Sequence, residues 1–247
     1  METTNAILTS RQKDAKRAGF FYLAFVITCI FAGIVRANLI AWGDASRTAY
    51  VLGNSELLFR ISSLVDLISA VLFVLSAWAL YVLLKPVNKN VALLFLLLNA
   101  VGVAVQCNSL LNSFTPMLTY GNTDFIKAFQ PDQFDALNLL FLNIYKSGFT
   151  IAQIFYGTWL LPLGYLVYKS GFLPKWLGIL LIADFFGVMI WFFQYFLLPG
   201  YDIITYPGLA IGFIAEFSLS LWLIIKGVKV QPTVAGEAGL NIPDFRN

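Results

Sequence analysis

VALLFLLLNAVGVAVQCNSLLNS, residues 91–113, is the stretch whose reading decides the fold. It carries no charged side chain, and it exceeds the about 20 apolar residues that an α-helix needs to cross the hydrocarbon core of a bilayer. Inside that core only helices and closed barrels satisfy every backbone polar group, and a barrel strand is about half this length. The stretch therefore reads as a membrane-spanning helix. Its members Asn99, Gly102, Gln106, Ser109 and Ser113 recur at steps of three and four, which puts them on one face. That face suits neighbouring helices, and the opposite one suits lipid. The preceding KPVNKN, residues 85–90, reads as a tight turn, because proline disfavours helix in the residue before it and Asn88 caps the span after it.

Runs of the same character lie on either side, at 18–40, 56–84, 136–168, 176–198 and 208–225. Between the first two, Asp44 caps a short amphipathic helix, and Gly53-Asn54-Ser55 supplies a break and a new cap. The longest polar connection, 114–135, holds turn signals at Thr115-Pro116, Gly121-Asn122 and Gln130-Pro131, with a short helix expected between Asp124 and Phe129. The expected fold class is an all-α membrane protein, a bundle of six transmembrane helices over residues 18–226. A cytoplasmic tail is expected at 1–17 and a second, unstructured one at 227–247. Composition agrees: 59% of residues are hydrophobic and 12% are charged, too few charges to coat a water-soluble surface, which carries about 25%. The first run follows Arg11, Lys13, Lys16 and Arg17 as a secretory signal would, but it is too long and lacks a small-residue cleavage site.

Basic residues orient the bundle. With the N-terminus inside, the cytoplasmic segments hold the four basic residues of the tail, Lys85 and Lys89, Lys169 and Lys175, Lys226 and Lys229, and Arg246. The outer loops hold only Arg47 and Lys127. Positive charge collects on the cytoplasmic side of membrane proteins, so both termini are expected in the cytoplasm. The net charge of +3 is thereby a matter of topology, and no nucleic-acid partner is expected.

Histidine is absent. Intramembrane metalloproteases and His-ligated metal hydrolases need imidazole to hold their metal, and Ser-His proteases need it as the base, so those classes are excluded. Cys29 and Cys107 lie in apolar segments and read as small buried hydrophobes. No metal or other cofactor is expected.

Ionisable residues inside the spans are Arg36, Arg60 and Lys146 against Asp66, Asp184 and Glu216. A charge at mid-bilayer costs at least about 2.5–3.5 kcal/mol, so such groups should face the bundle interior or water and are site candidates by default. Spacing supports an inward face in each run: Ser62, Asp66, Ser69 and Ser76; Asn143, Lys146, Thr150, Gln153, Gly157 and Gly164; Asp184, Gly187, Trp191 and Gln194; Gly208, Gly212, Glu216 and Ser220. The first run is weaker, with Tyr22, Cys29 and Arg36. For the uncharged members close helix packing is the simpler explanation. If the stripes converge, Arg36, Arg60, Asp66, Gln106, Asn143, Lys146 and Glu216 form an outward-opening polar pocket of positive balance, leaving Asp184 isolated on the inner side.

A set of ordered segments also carries a family resemblance. Ala18-Gly19 with Tyr22, Gly43-Asp44-Ala45 with Thr48, Leu58-Phe59-Arg60, LYVLLKPVNKNVALL at 80–94 and GYLVYKSGFLPKWLG at 164–178 together resemble the bacterial membrane family catalogued as domain of unknown function 4386. The likeness runs from the first span to Gly227. It implies a multi-span protein of the bacterial cytoplasmic membrane and a shared pattern that includes Arg60 and the two cytoplasmic turns. It brings no activity, substrate or catalytic residue.

Three functional readings are compatible with these residues. A structural or partner-dependent membrane component is the default, since the bundle alone explains the sequence; its protein partners are not legible. A small transporter or lipid-handling protein would use the outer pocket, its three bases meeting a small anionic ligand or a lipid headgroup and Asp66 or Glu216 serving proton coupling. No inverted repeat supports it. An intramembrane enzyme would have only Asp66 with Glu216 as an acid–base pair.

Overall fold

The computed structural model describes residues 2–119 and 129–229. Its elements are α1 (Glu2–Leu39), α2 (Ala45–Asn54), α3 (Glu56–Leu84), α4 (Lys89–Ser113), α5 (Thr115–Thr119), α6 (Pro131–Lys169), α7 (Lys175–Leu197), a 3-10 turn (Asp202–Thr205) and α8 (Tyr206–Ile225). No strand occurs among the described residues. Six helical segments are long and apolar enough to cross a membrane: α1 from Thr9, α3, α4 continued to Leu118, α6, α7, and α8 with its 3-10 lead. The chain is an all-helical, multi-pass membrane protein. Large side chains such as Leu57, Leu64, Val71, Ile179 and Phe186 are exposed on its flanks, as contact with acyl chains requires.

Local chemistry sets the helix ends. Asp44 accepts a hydrogen bond from the Arg47 backbone N–H at 2.9 Å and so caps α2. Asn88 accepts from the N–H groups of Asn90 and Val91, each at 3.1 Å, and caps α4. Ser55 occupies the cap position of α3, but its side chain makes no capping bond. The α6–α7 turn places Gly171 at φ +70°, a conformation that glycine reaches without a Cβ penalty.

Helix α1 starts at Glu2, well before the apolar run. Nothing in residues 2–17 breaks a helix, since the segment has neither glycine nor proline. Packing also holds it: Gln12 donates to the Lys226 carbonyl at 3.2 Å and accepts from the Val228 N–H at 3.0 Å. Helix α6 begins at Pro131, with proline in its first turn, where the missing N–H is harmless. Its 39 residues extend about 58 Å, far more than the hydrocarbon core needs. The helix expected between Asp124 and Phe129 and the C-terminal tail beyond residue 229 lie outside the described residues.

Packing arranges the long helices as a ring, α1 against α3, α3 against α4, α4 against α6, α6 against α7, α7 against α8, and α8 back against α1. Glycines allow the closest approaches. A Cβ on Gly187 would lie 2.7 Å from the Cα of Gly208, so the α7 and α8 backbones touch there. The predicted inward faces are largely the buried ones: Ser62, Asp66, Ser69 and Ser76 on α3, and Asn99, Gln106, Ser109 and Ser113 on α4. Trp159 of α6, 1% exposed, anchors the middle of the core against Phe73, whose ring meets it edge-on at 5.0 Å.

Candidate functional site

The helix ring encloses a cavity of about 270 Å³, open on one side. Its polar wall consists of Asp184 of α7, Glu216 of α8, Gln106 of α4, and Gln153 and Tyr156 of α6. Each stands near the middle of its helix; Glu216 is about 15 Å along α8 from Tyr206. Apolar rings fill much of the rest, including Phe25, Phe73, Phe149, Trp159 and Trp191. Phe25 and Phe73 stack face to face with centroids 3.9 Å apart, fixing the α1–α3 side of the wall. No lysine or arginine among the described residues lines the cavity.

Three of the polar groups are engaged. The Tyr22 hydroxyl of α1 donates to Glu216 Oε1 at 3.0 Å, and the Tyr156 hydroxyl donates to Gln106 Oε1 at 2.5 Å. Two others are free: Asp184 is 3% exposed and Gln153 is 6% exposed, and neither side chain has a hydrogen bond or ion pair within the described residues. Gly212, one turn before Glu216, leaves room for Asp184, because a Cβ there would fall 2.5 Å from Asp184 Oδ1. The close approach of α7 and α8 at Gly187 and Gly208 thereby brings two carboxylates to one cavity. Uncompensated like charges in an apolar setting are costly, and such an arrangement calls for a proton or a cationic ligand at that spot.

This geometry differs from the expected pocket. Of the residues expected to converge, Gln106 and Glu216 line the cavity. Asp66 instead pairs with Arg36, whose Nη1 donates to Asp66 Oδ2, and the guanidinium lies 5.5 Å from the Tyr145 ring. Arg60 bonds Glu56 four residues earlier on the same exposed helix face, at 2.6 Å. Asn143 is exposed and bonds back to the Leu139 carbonyl at 2.9 Å. Lys146 is exposed too, its Nζ 4.9 Å from the Trp42 ring and 6.0 Å from that of Tyr195. Trp42 follows the end of α1, so Lys146 lies level with that helix end and outside the cavity wall.

The same contacts overturn three further expectations. Asp184, expected alone on the inner side, shares the cavity with Glu216. Asp66, bound to Arg36 and absent from the cavity wall, does not form the acid–base pair with Glu216 that an enzyme reading needs. The cavity's charge balance is negative where the expected pocket was positive. Of the aromatic wall, helical spacing in the sequence marks only Trp191: Tyr156 follows Gln153 by three residues on the same face, but aromatic residues make up 16% of the chain, too many for most of them to stand out.

The family model described as domain of unknown function (DUF4386) matches residues 17–227. An "Uncharacterized protein" of Archaeoglobus fulgidus is 33% identical over 170 residues, covering 67% of this chain and 83% of that relative. No solved structure matches.

Proposed function

The chain belongs to the family described as domain of unknown function (DUF4386), and for this six-span member we propose the role of a small-molecule carrier that binds its cargo at Asp184 and Glu216, midway across the bilayer. One observation carries the reading: Asp184 is buried against a cavity with no counter-charge. A bundle built only to hold a partner is destabilised by such a group and gains nothing from it, whereas a binding site requires one. The default structural reading therefore explains less of the molecule. The carrier reading rests on the cavity and not on internal symmetry.

The basic flanks favour a cytoplasmic membrane with both termini inside. The archaeal relative extends the expected bacterial setting to archaea.

The test compares labelling with stability. Dicyclohexylcarbodiimide, a lipid-soluble carboxyl reagent, is expected to modify Asp184 or Glu216 in native membranes, with the adduct located by peptide mass spectrometry. Asp184→Asn and Glu216→Gln should each fold with wild-type yield and lose the adduct at that site. Wild-type protein that stays unlabelled at both positions, with variants that fail to fold, would return the pair to a structural role.

A further inference from the structure

The cavity selects its occupant by charge and by surface. Among the described residues its wall holds two carboxylates and no base, and the nearby Arg36 is already committed to Asp66. An anion finds no counter-charge there, and a neutral solute leaves Asp184 to be neutralised by a proton, whereas a cation compensates the ionised pair directly. A bare metal cation is a poor match as well, because hard cations take about six to eight oxygen ligands. Beyond the two carboxylates the wall offers chiefly Gln153, the Gln106 oxygen being taken by Tyr156. Most of the remaining surface is ring and aliphatic carbon. Ring faces attract weakly hydrated cations, alkylated ammonium groups above all.

The mouth adds a second constraint. Leu209 and Phe213 of α8 line the cavity and are 48% and 54% exposed, so at α8 the cavity wall reaches the outer face of the bundle. On a membrane span, exposed leucine and phenylalanine face acyl chains. A solute arriving there has already dissolved in the bilayer.

Resting on the carrier reading, we propose that the cargo is a lipophilic organic cation, an alkylated or protonated amine on an apolar body, which enters sideways from the bilayer past Leu209 and Phe213 and is held by Asp184 and Glu216 against the aromatic wall.

The full-length protein in phosphatidylcholine nanodiscs, corrected with empty discs, tests this through quenching of the cavity tryptophans Trp159 and Trp191. Three probes are titrated: phenyltrimethylammonium, its neutral isostere tert-butylbenzene, and the anion benzenesulfonate. The cation should bind at least about tenfold tighter than the isostere, and benzenesulfonate should not bind. Asp184→Asn should erase the cation's advantage while tert-butylbenzene binds as before, which shows the cavity intact; Glu216→Gln serves the same comparison if Asp184→Asn does not fold. Equal binding of the isostere or the sulfonate overturns the cation assignment and leaves a ligand cavity standing. So does displacement of the ammonium by sodium chloride, or cation binding untouched by both substitutions. Binding of none of the three overturns the carrier reading together with the assignment.

Discussion

Two pairs of ionisable residues lie within this bundle, each with one buried and one half-buried member, and they have been given opposite treatment. Arg36 of α1 and Asp66 of α3 neutralise one another, and Tyr145 of α6 lies against the guanidinium. Asp184 of α7 and Glu216 of α8 carry the same sign and share a cavity with no base in its wall. Both pairs are withdrawn from lipid; only the first is complete in itself. The contrast teaches that burial of a charge does not define its role. A charge matched by its opposite holds helices together, and one left unmatched waits for a partner from outside the chain.

Breaking the first pair should have the largest effect. Arg36→Met leaves Asp66 buried without a cation, a defect of about 3–5 kcal/mol, and should lower the melting temperature in detergent sharply; adding Asp66→Leu should recover most of the loss. The second pair should respond in the opposite sense. Asp184→Asn removes an uncompensated charge, so its melting temperature should match or exceed wild type while cation binding is lost. Should this variant melt as low as Arg36→Met, the distinction between the two regions collapses.

Smaller changes sharpen the comparison. Tyr22→Phe deletes the 3.0 Å hydrogen bond onto Glu216, worth about 0.5–1.5 kcal/mol, and chemical denaturation should register a loss of that size. Arg60→Ala removes an exposed pair within one helix, for which about 0–1 kcal/mol is usual. Its melting curve should nearly overlay wild type, and a large shift would mean that Arg60 is engaged beyond Glu56.

Much of the architecture was legible because lipid is an unforgiving solvent. The runs that became α3, α4, α7 and α8 announce themselves by length and scarcity of charge, and the polar stripes at helical spacing mark the buried faces of α3 and α4 residue by residue. The site was less legible. Periodicity tells which side of a helix faces inward, but neither the axial offset between helices nor which stripe meets which. Lys146 falls outside the cavity because α6 starts at Pro131 and is far longer than a single crossing needs, so its position along the apolar run at 136–168 does not tell which level of the bundle it meets. Asp184 was read as solitary because the carboxylate it joins belongs to a helix packed on it through Gly187 and Gly208, a contact with no trace in local sequence.

The sequence by itself determined that this chain lives in a bilayer, how many times it crosses, and which faces it hides. Those properties are sums over neighbouring residues, each transfer to lipid counted where it occurs. The tertiary structure alone decided that Asp66 answers Arg36 while Asp184 and Glu216 meet no cationic side chain among the described residues. Charge interaction depends on the distance between side chains far apart in sequence, and only the packed helices set that distance.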